Sequence, residues 1–175
     1  MKLYTIGHST RSLDEFVEVL KTYGIEQLID VRSVPRSRHT PQFNEDNLAV
    51  ELPKLGIDYL HMKILGGLRY ARKDSANIGW HNASFRGYAD YMQTAEFGSG
   101  IAELEKIAQS KSTTIMCAEV LPWRCHRSMI GDAMLVRGYE VIDIYDDKKS
   151  ELEKITSFAH VEGTTITYPS DQPER

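Results

Sequence analysis

Apolar positions along this chain alternate between short strand-like runs and helical spacing. Lys2 to Ile6 reads as a first strand, with Gly7-His8-Ser9-Thr10 as the turn after it. Ser12 with Glu15 matches a capping box, and Phe16, Val19, Leu20 and Tyr23 carry a helix to Gly24. Gln27 to Val31 predicts a second strand, followed by the polar loop Arg32 to His39. Asn44 is placed to cap a short helix to Leu55, with Pro53 disturbing its end. Ile57 to Met62 reads as a third strand before Leu65-Gly66-Gly67. Leu68 to Ser84 lacks periodicity and predicts a long excursion, of the kind that is often mobile. Helical patterns follow around Phe85–Gln93 and Ile101–Ala108.

A β-branched apolar run, Thr113-Thr114-Ile115-Met116, then has the composition of a buried strand. After its loop, Met129, Ala133, Met134 and Val136 predict a helix that stops at Gly138. Glu140 to Ile144 reads as a strand, Lys149–Phe158 as a helix and Thr164 to Tyr168 as a late strand. Strands alternating with helices predict an α/β fold: three layers, with a mostly parallel sheet covered by helices on both faces. Ligands of such sheets sit beyond the carboxyl ends of the strands. The unusual residues of this sequence fall there repeatedly: Gly7, His8 and Ser9; Arg32, Arg36 and Arg38; Gly66 and Gly67; and the loop from Cys117. This convergence predicts one shared site.

Composition acts mainly by exclusion. A chain of 175 residues with 41% hydrophobic and 26% charged content predicts one globular domain, residues 1–169, with 170–175 as a frayed tail. A net charge of −4 argues against a broadly basic nucleic-acid surface, though not against a local patch. No apolar run has the length of a membrane span, so no membrane partner is expected. Two cysteines make no disulfide framework, and a cytoplasmic location is the default expectation. No Cys or His pair has zinc-like spacing. A metal at His8, Cys117, Cys125 and His126 would require the fold to gather them. No metal or cofactor is expected, and the oligomeric state is not legible.

The densest chemistry lies in Thr113 to Arg127, which holds both cysteines, Glu119, Arg124, His126 and Arg127. A strand ends there in a loop that opens a helix, whose free N–H groups and dipole favour anions and lower a thiol's pKa. TIGHST at the start, DVRSVPRSR after the second strand, LGG after the third and CAE…CHR after the fourth together resemble the domain of unknown function 488 family. That resemblance covers nearly the whole chain and implies an α/β fold without a settled activity. LIDVR and the Cys–loop–Arg–helix order are also faintly similar to rhodaneses and cysteine phosphatases. Six residues separate Cys117 from Arg124, one more than in the phosphatase loop.

Each candidate has two readings. Cys117 is either a small buried apolar residue or a thiolate held by N–H groups and an arginine. His126 follows Cys125 directly and is expected to point away from it, so a dyad would need another partner. A Cys117–Cys125 redox pair is a third option, without the usual Cys-x-x-Cys spacing. Glu119 is an acid–base group or an ion-pair partner of Arg127 or Arg32. His8 and Ser9 approach a ligand or stabilise a turn. Arg32, Arg36 and Arg38 hold a phosphate or carboxylate, or are solvated. Tyr70, Trp80, His81, Phe85, Arg86, Tyr88 and Tyr91 stack bases or, in the favoured reading, pack into the core. The expected function is an enzyme acting on a phosphorylated or nucleotide-like anionic substrate. Cys117, Glu119, Cys125 and His126 would act catalytically, with Gly7, His8, Ser9, Arg32, Arg36, Arg38, Gly66, Gly67, Arg124 and Arg127 binding. The alternative is a non-catalytic nucleotide- or nucleic-acid-binding module.

Overall fold

The structure, a computed structural model, describes residues 1–170. Residues 171–175, most of the expected tail, lie outside the described residues. Five strands run parallel: β1 (Lys2–Gly7), β2 (Gln27–Asp30), β3 (Asp58–His61), β4 (Thr113–Cys117) and β5 (Glu140–Ile144). With β6 (Ser150–Leu152), which is antiparallel to β5, they form a sheet of order β3-β2-β4-β1-β5-β6. The chain therefore crosses from the β2–β3 side back to the middle before moving out past β1. The switch in strand order lies between β4 and β1.

Helices α1 (Leu13–Thr22) and α2 (Glu45–Lys54) cover one face of the sheet. Helices α3 (Ala83–Tyr91), α4 (Ala95–Ser110) and α5 (Arg127–Leu135) cover the other. The fold is the three-layer α/β arrangement that the alternation of periods predicts. The side-chain period of two sorts the residues of β4: Ile115 and Cys117 join the core under α3–α5, and Met116 joins the core under α1 and α2. The Ser12 hydroxyl caps α1 by accepting from the Glu15 amide at 3.2 Å. Phe16, Val17, Val19 and Leu20 bury the inner face of α1, each contributing about 1.5–3 kcal/mol. Asn44 stands at the cap position of α2, but its side chain accepts from the Ser37 amide instead. Pro53 is tolerated in the last turn of α2. No helix among the described residues is long and apolar enough to cross a membrane.

The Leu68–Ser84 excursion is anchored rather than loose. Asn77, fully buried, donates to Asp90 at 2.7 Å and accepts from the Tyr168 amide at 2.9 Å. The expected late strand forms as β8 (Thr165–Thr167), paired with β7 (His160–Glu162) in a separate hairpin.

The expected helix over Lys149–Phe158 is not formed. The Asp146 carboxylate accepts from the amides of Lys148 and Lys149 at 2.8 and 2.7 Å, reversing the chain. The next residues then pair with β5 as β6. Edge pairing with a long neighbour overrides a helical preference that has no apolar face to bury. This turn seats Glu153 against Gly131 of α5, where any Cβ would collide with the carboxylate. Burial, then the charges of Asp143 and Asp132, push the Glu153 carboxyl from 4.5 up to about 10. Between those values the folded chain keeps a proton that the unfolded chain has lost. Stability from this group is full below the lower value and falls as pH rises toward the upper. Glu153→Gln is expected to exceed the wild type in stability at pH 8 by at least about 1 kcal/mol. Urea unfolding at pH 5 and pH 8 checks this; parallel pH slopes for the two proteins would contradict it.

Candidate functional site

The C-terminal ends of β1, β2, β3 and β4 meet at one rim. The His8 amide donates to the Cys117 carbonyl at 2.9 Å and the Ser9 amide to the Ala118 carbonyl at 3.0 Å. Gly7 is required here, because a Cβ would run into the Glu119 carbonyl. Gly66 brings the loop after β3 against Ser33, whose hydroxyl accepts from the Leu68 amide at 2.8 Å. Above this junction opens a cavity of about 450 Å³. Ser33, Val34, Gly67, Leu68 and Phe85 line it together with Cys117, Glu119, Arg124, Cys125 and His126.

At the floor, a chain of contacts runs from Arg127 through Cys117 and Cys125 to His126. The Arg127 guanidinium donates from Nη1 to Cys117 Sγ at 3.0 Å and to the Glu119 carbonyl at 3.0 Å. Its Nη2 donates to the Val120 carbonyl at 3.0 Å. Cys125 Sγ lies 2.8 Å from Cys117 Sγ, both thiols being free. Cys125 in turn lies 3.5 Å from His126 Nδ1 and accepts from the Arg127 amide, in the first turn of α5, at 3.4 Å. His126 donates from Nε2 to the Val31 carbonyl at 2.8 Å, which leaves Nδ1 unprotonated toward the sulfur.

Arg127 is 1% exposed. Among the described residues no carboxylate lies within ion-pair distance of it. Its charge acts on the Cys117 sulfur, which its Nη1 touches, and over a longer distance on the carboxyls of Asp143 and Glu153. Burial raises the Cys117 pKa, but the Cys125 hydrogen bond, the Arg127 charge and a backbone hydrogen bond together bring it below the ordinary thiol value. Cys125 moves the other way: its hydrogen bond to Cys117 and its burial hold it well above the ordinary value. The two shifts run in opposite directions, so of the pair Cys117 is the sulfur that gives up its proton more readily and Cys125 the one that keeps it. Burial lowers His126 to about 4, and it is neutral at pH 7.

Several expectations change at this level. His126 does not point away from Cys125; the turn preceding α5 folds its ring back to the sulfur. Glu119 makes no ion pair among the described residues: its carboxylate accepts from the Leu121 amide at 3.2 Å, and it is its carbonyl that meets Arg127. Arg32 turns to the opposite face of the sheet, where Asp30 holds it at 2.9 and 2.7 Å and the Phe43 carbonyl takes a further donor. Its fork is filled. His8 goes the same way, stacked on Phe43 at 4.3 Å, so its ring does not join the two cysteines. Arg36 and Arg38 line a separate surface hollow with Pro41 and Asn44. Trp80, Phe85, Tyr88 and Tyr91 pack in or against the core, while Tyr70 is exposed. Among the described residues no group of three or more His, Cys, Asp or Glu side chains is placed to hold a metal ion.

Ser33, Val34 and Leu68 in the cavity wall carry no chemical signature that the sequence reading singles out, whereas Phe85 belongs to the aromatic group read there. Gly67 owes its place to His126, since a Cβ would approach Nδ1 to 2.5 Å. Gly67→Ala is therefore expected to expel the imidazole and destabilise the fold by about 1–3 kcal/mol, measured by urea unfolding. A variant as stable as the wild type, with the His126–Val31 bond retained, would contradict this packing.

Fold and site together define a three-layer α/β protein with a cysteine pair and a buried arginine at its strand switch point. The chain belongs to the family described as domain of unknown function DUF488, whose model matches residues 12–134. No curated protein and no solved structure matches it.

Proposed function

We propose that the protein is an enzyme in which the Cys117 thiolate attacks a small anionic substrate entering the cavity at the strand ends. The observation that carries this reading is the Arg127–Cys117 contact of 3.0 Å beneath an open cavity. A guanidinium with no carboxylate partner stabilises a thiolate, the nucleophilic form of cysteine. Arg124, exposed at the rim, supplies a positive charge for the substrate. Glu119, with its carboxylate in the same wall, is the group available to exchange a proton with the reacting molecule. Arg127 holds the thiolate and does not reach the substrate.

The test is alkylation of the reduced protein at pH 7 with iodoacetamide, read peptide by peptide. Cys117 is expected to label rapidly, and phosphate or sulfate is expected to slow it. Cys117→Ser removes the rapid phase. Slow labelling that is indifferent to these anions would overturn the reading.

A further inference from the structure

The nucleophilic step assigned to Cys117 leaves Cys125 without a role. Its position is nonetheless specific. Its sulfur is 2.8 Å from that of Cys117, and a disulfide bond measures about 2.05 Å. Closure needs a movement of under about 1 Å. Cys117 is fixed at the end of β4, whereas Cys125 sits between a 3-10 turn (Pro122–Arg124) and α5. The second sulfur thus belongs to the connection between two elements rather than to either of them. Both sulfurs line the same cavity, whose remaining wall includes the apolar side chains of Val34, Leu68 and Phe85. The opening thus admits a small neutral molecule as well as an anion.

We propose that Cys117 and Cys125 form a redox-active dithiol that reduces hydroperoxides, a chemistry beyond the anionic-substrate reaction. It rests on the same reading of Cys117 as a thiolate. The thiolate attacks the terminal, hydroxyl-bearing oxygen of the hydroperoxide. An S–O bond forms, the O–O bond breaks, and the departing oxygen takes a proton from water to leave as an alcohol, or as water when the oxidant is hydrogen peroxide. Cys117, oxidised by two electrons, is then a sulfenic acid. Cys125 attacks that sulfur, the S–O bond breaks, and the hydroxyl departs as water with the Cys125 proton. The balance is two thiols and one hydroperoxide giving a disulfide, an alcohol and a water. A small dithiol such as dithiothreitol restores the pair by exchange.

The experiment treats the reduced, full-length protein with hydrogen peroxide or cumene hydroperoxide, then alkylates and maps it by mass spectrometry. The wild type is expected to lose two hydrogens and to yield a Cys117–Cys125 crosslinked peptide. Cys125→Ser is expected to accumulate a dimedone-reactive sulfenic acid on Cys117, with peroxide-dependent oxidation of dithiothreitol reduced at least about tenfold. Cys117→Ser is expected to form neither product. A wild type that forms the sulfenic acid but no internal crosslink overturns the dithiol proposal and leaves the nucleophile intact. A Cys117 inert to both peroxide and iodoacetamide overturns both. A crosslink between two chains in place of the internal one also overturns the dithiol proposal.

Discussion

Replacing Arg127 by methionine is expected to slow alkylation of Cys117 at pH 7 by at least about tenfold and to raise the midpoint of its pH–rate profile by more than about one pH unit. Methionine keeps the length of the side chain and removes the charge. Without the guanidinium, burial and the Glu119 charge still raise the pKa of the Cys117 sulfur, and the hydrogen bonds with Cys125 and the Glu119 backbone still lower it. A thiol 3% exposed has little water to solvate its charge, so burial prevails. The carbonyls of Glu119 and Val120 also lose their donor. That costs stability, while removing a buried charge returns some of it. The rate is therefore the cleaner reading than the melting point. An unchanged midpoint in the folded variant would show that Arg127 does not govern the thiol.

The second large effect is on acid stability. His8, 3% exposed, donates from Nδ1 to the Ser9 carbonyl at 2.7 Å, and its Nε2 faces Arg32 Nη1 at 3.3 Å. A proton on Nε2 would set two cations against each other. Burial first, and then Arg32, bring His8 from 6.5 down to about 4. Its contribution to stability is complete above 6.5 and is lost as pH falls through about 4, because the unfolded chain takes a proton that the folded chain refuses. Over that interval the loss from His8 is about 3 kcal/mol. His126, lowered to about 4 by burial, acts in the same direction. Glu153 opposes both, since its contribution grows toward low pH. The comparison that isolates His8 is therefore His8→Gln against the wild type, with urea unfolding at pH 7, 5.5 and 4.5. The variant is expected to lose less stability on acidification; parallel slopes would contradict the assignment.

Much of the architecture was legible in the residue pattern. The β-branched apolar run from Thr113 and the capped helical run from Ser12 are strong signals because the first is buried at every position and the second along one continuous face. Lys149–Phe158 misled because its helical character was local. The Asp146 turn and the free edge of β5 decided its conformation, and neither belongs to the segment itself. Within the site, the loop positions were legible, but the directions of the side chains were not. Arg32 read as a free cation because Asp30, two residues earlier, gave no sign of facing it across the end of β2. Cys125 and His126 read as diverging neighbours because the turn that aligns them before α5 has no periodic signature.

The sequence by itself determined most of the strands and helices up to Ile144, that the central strands lie parallel, and that loops rich in Cys, Arg, His and Gly follow their carboxyl ends. These follow from spacing, which is a local property of the chain. Only the tertiary structure decided which of those side chains share a face. It sent Arg32 and His8 below the sheet to Asp30 and Phe43, and it left Arg127 above, against Cys117 and with no carboxylate among the described residues in ion-pair distance. The physical reason is that charge pairing and desolvation depend on distances across the sheet. Those distances are fixed by strand order and packing rather than by neighbours along the chain.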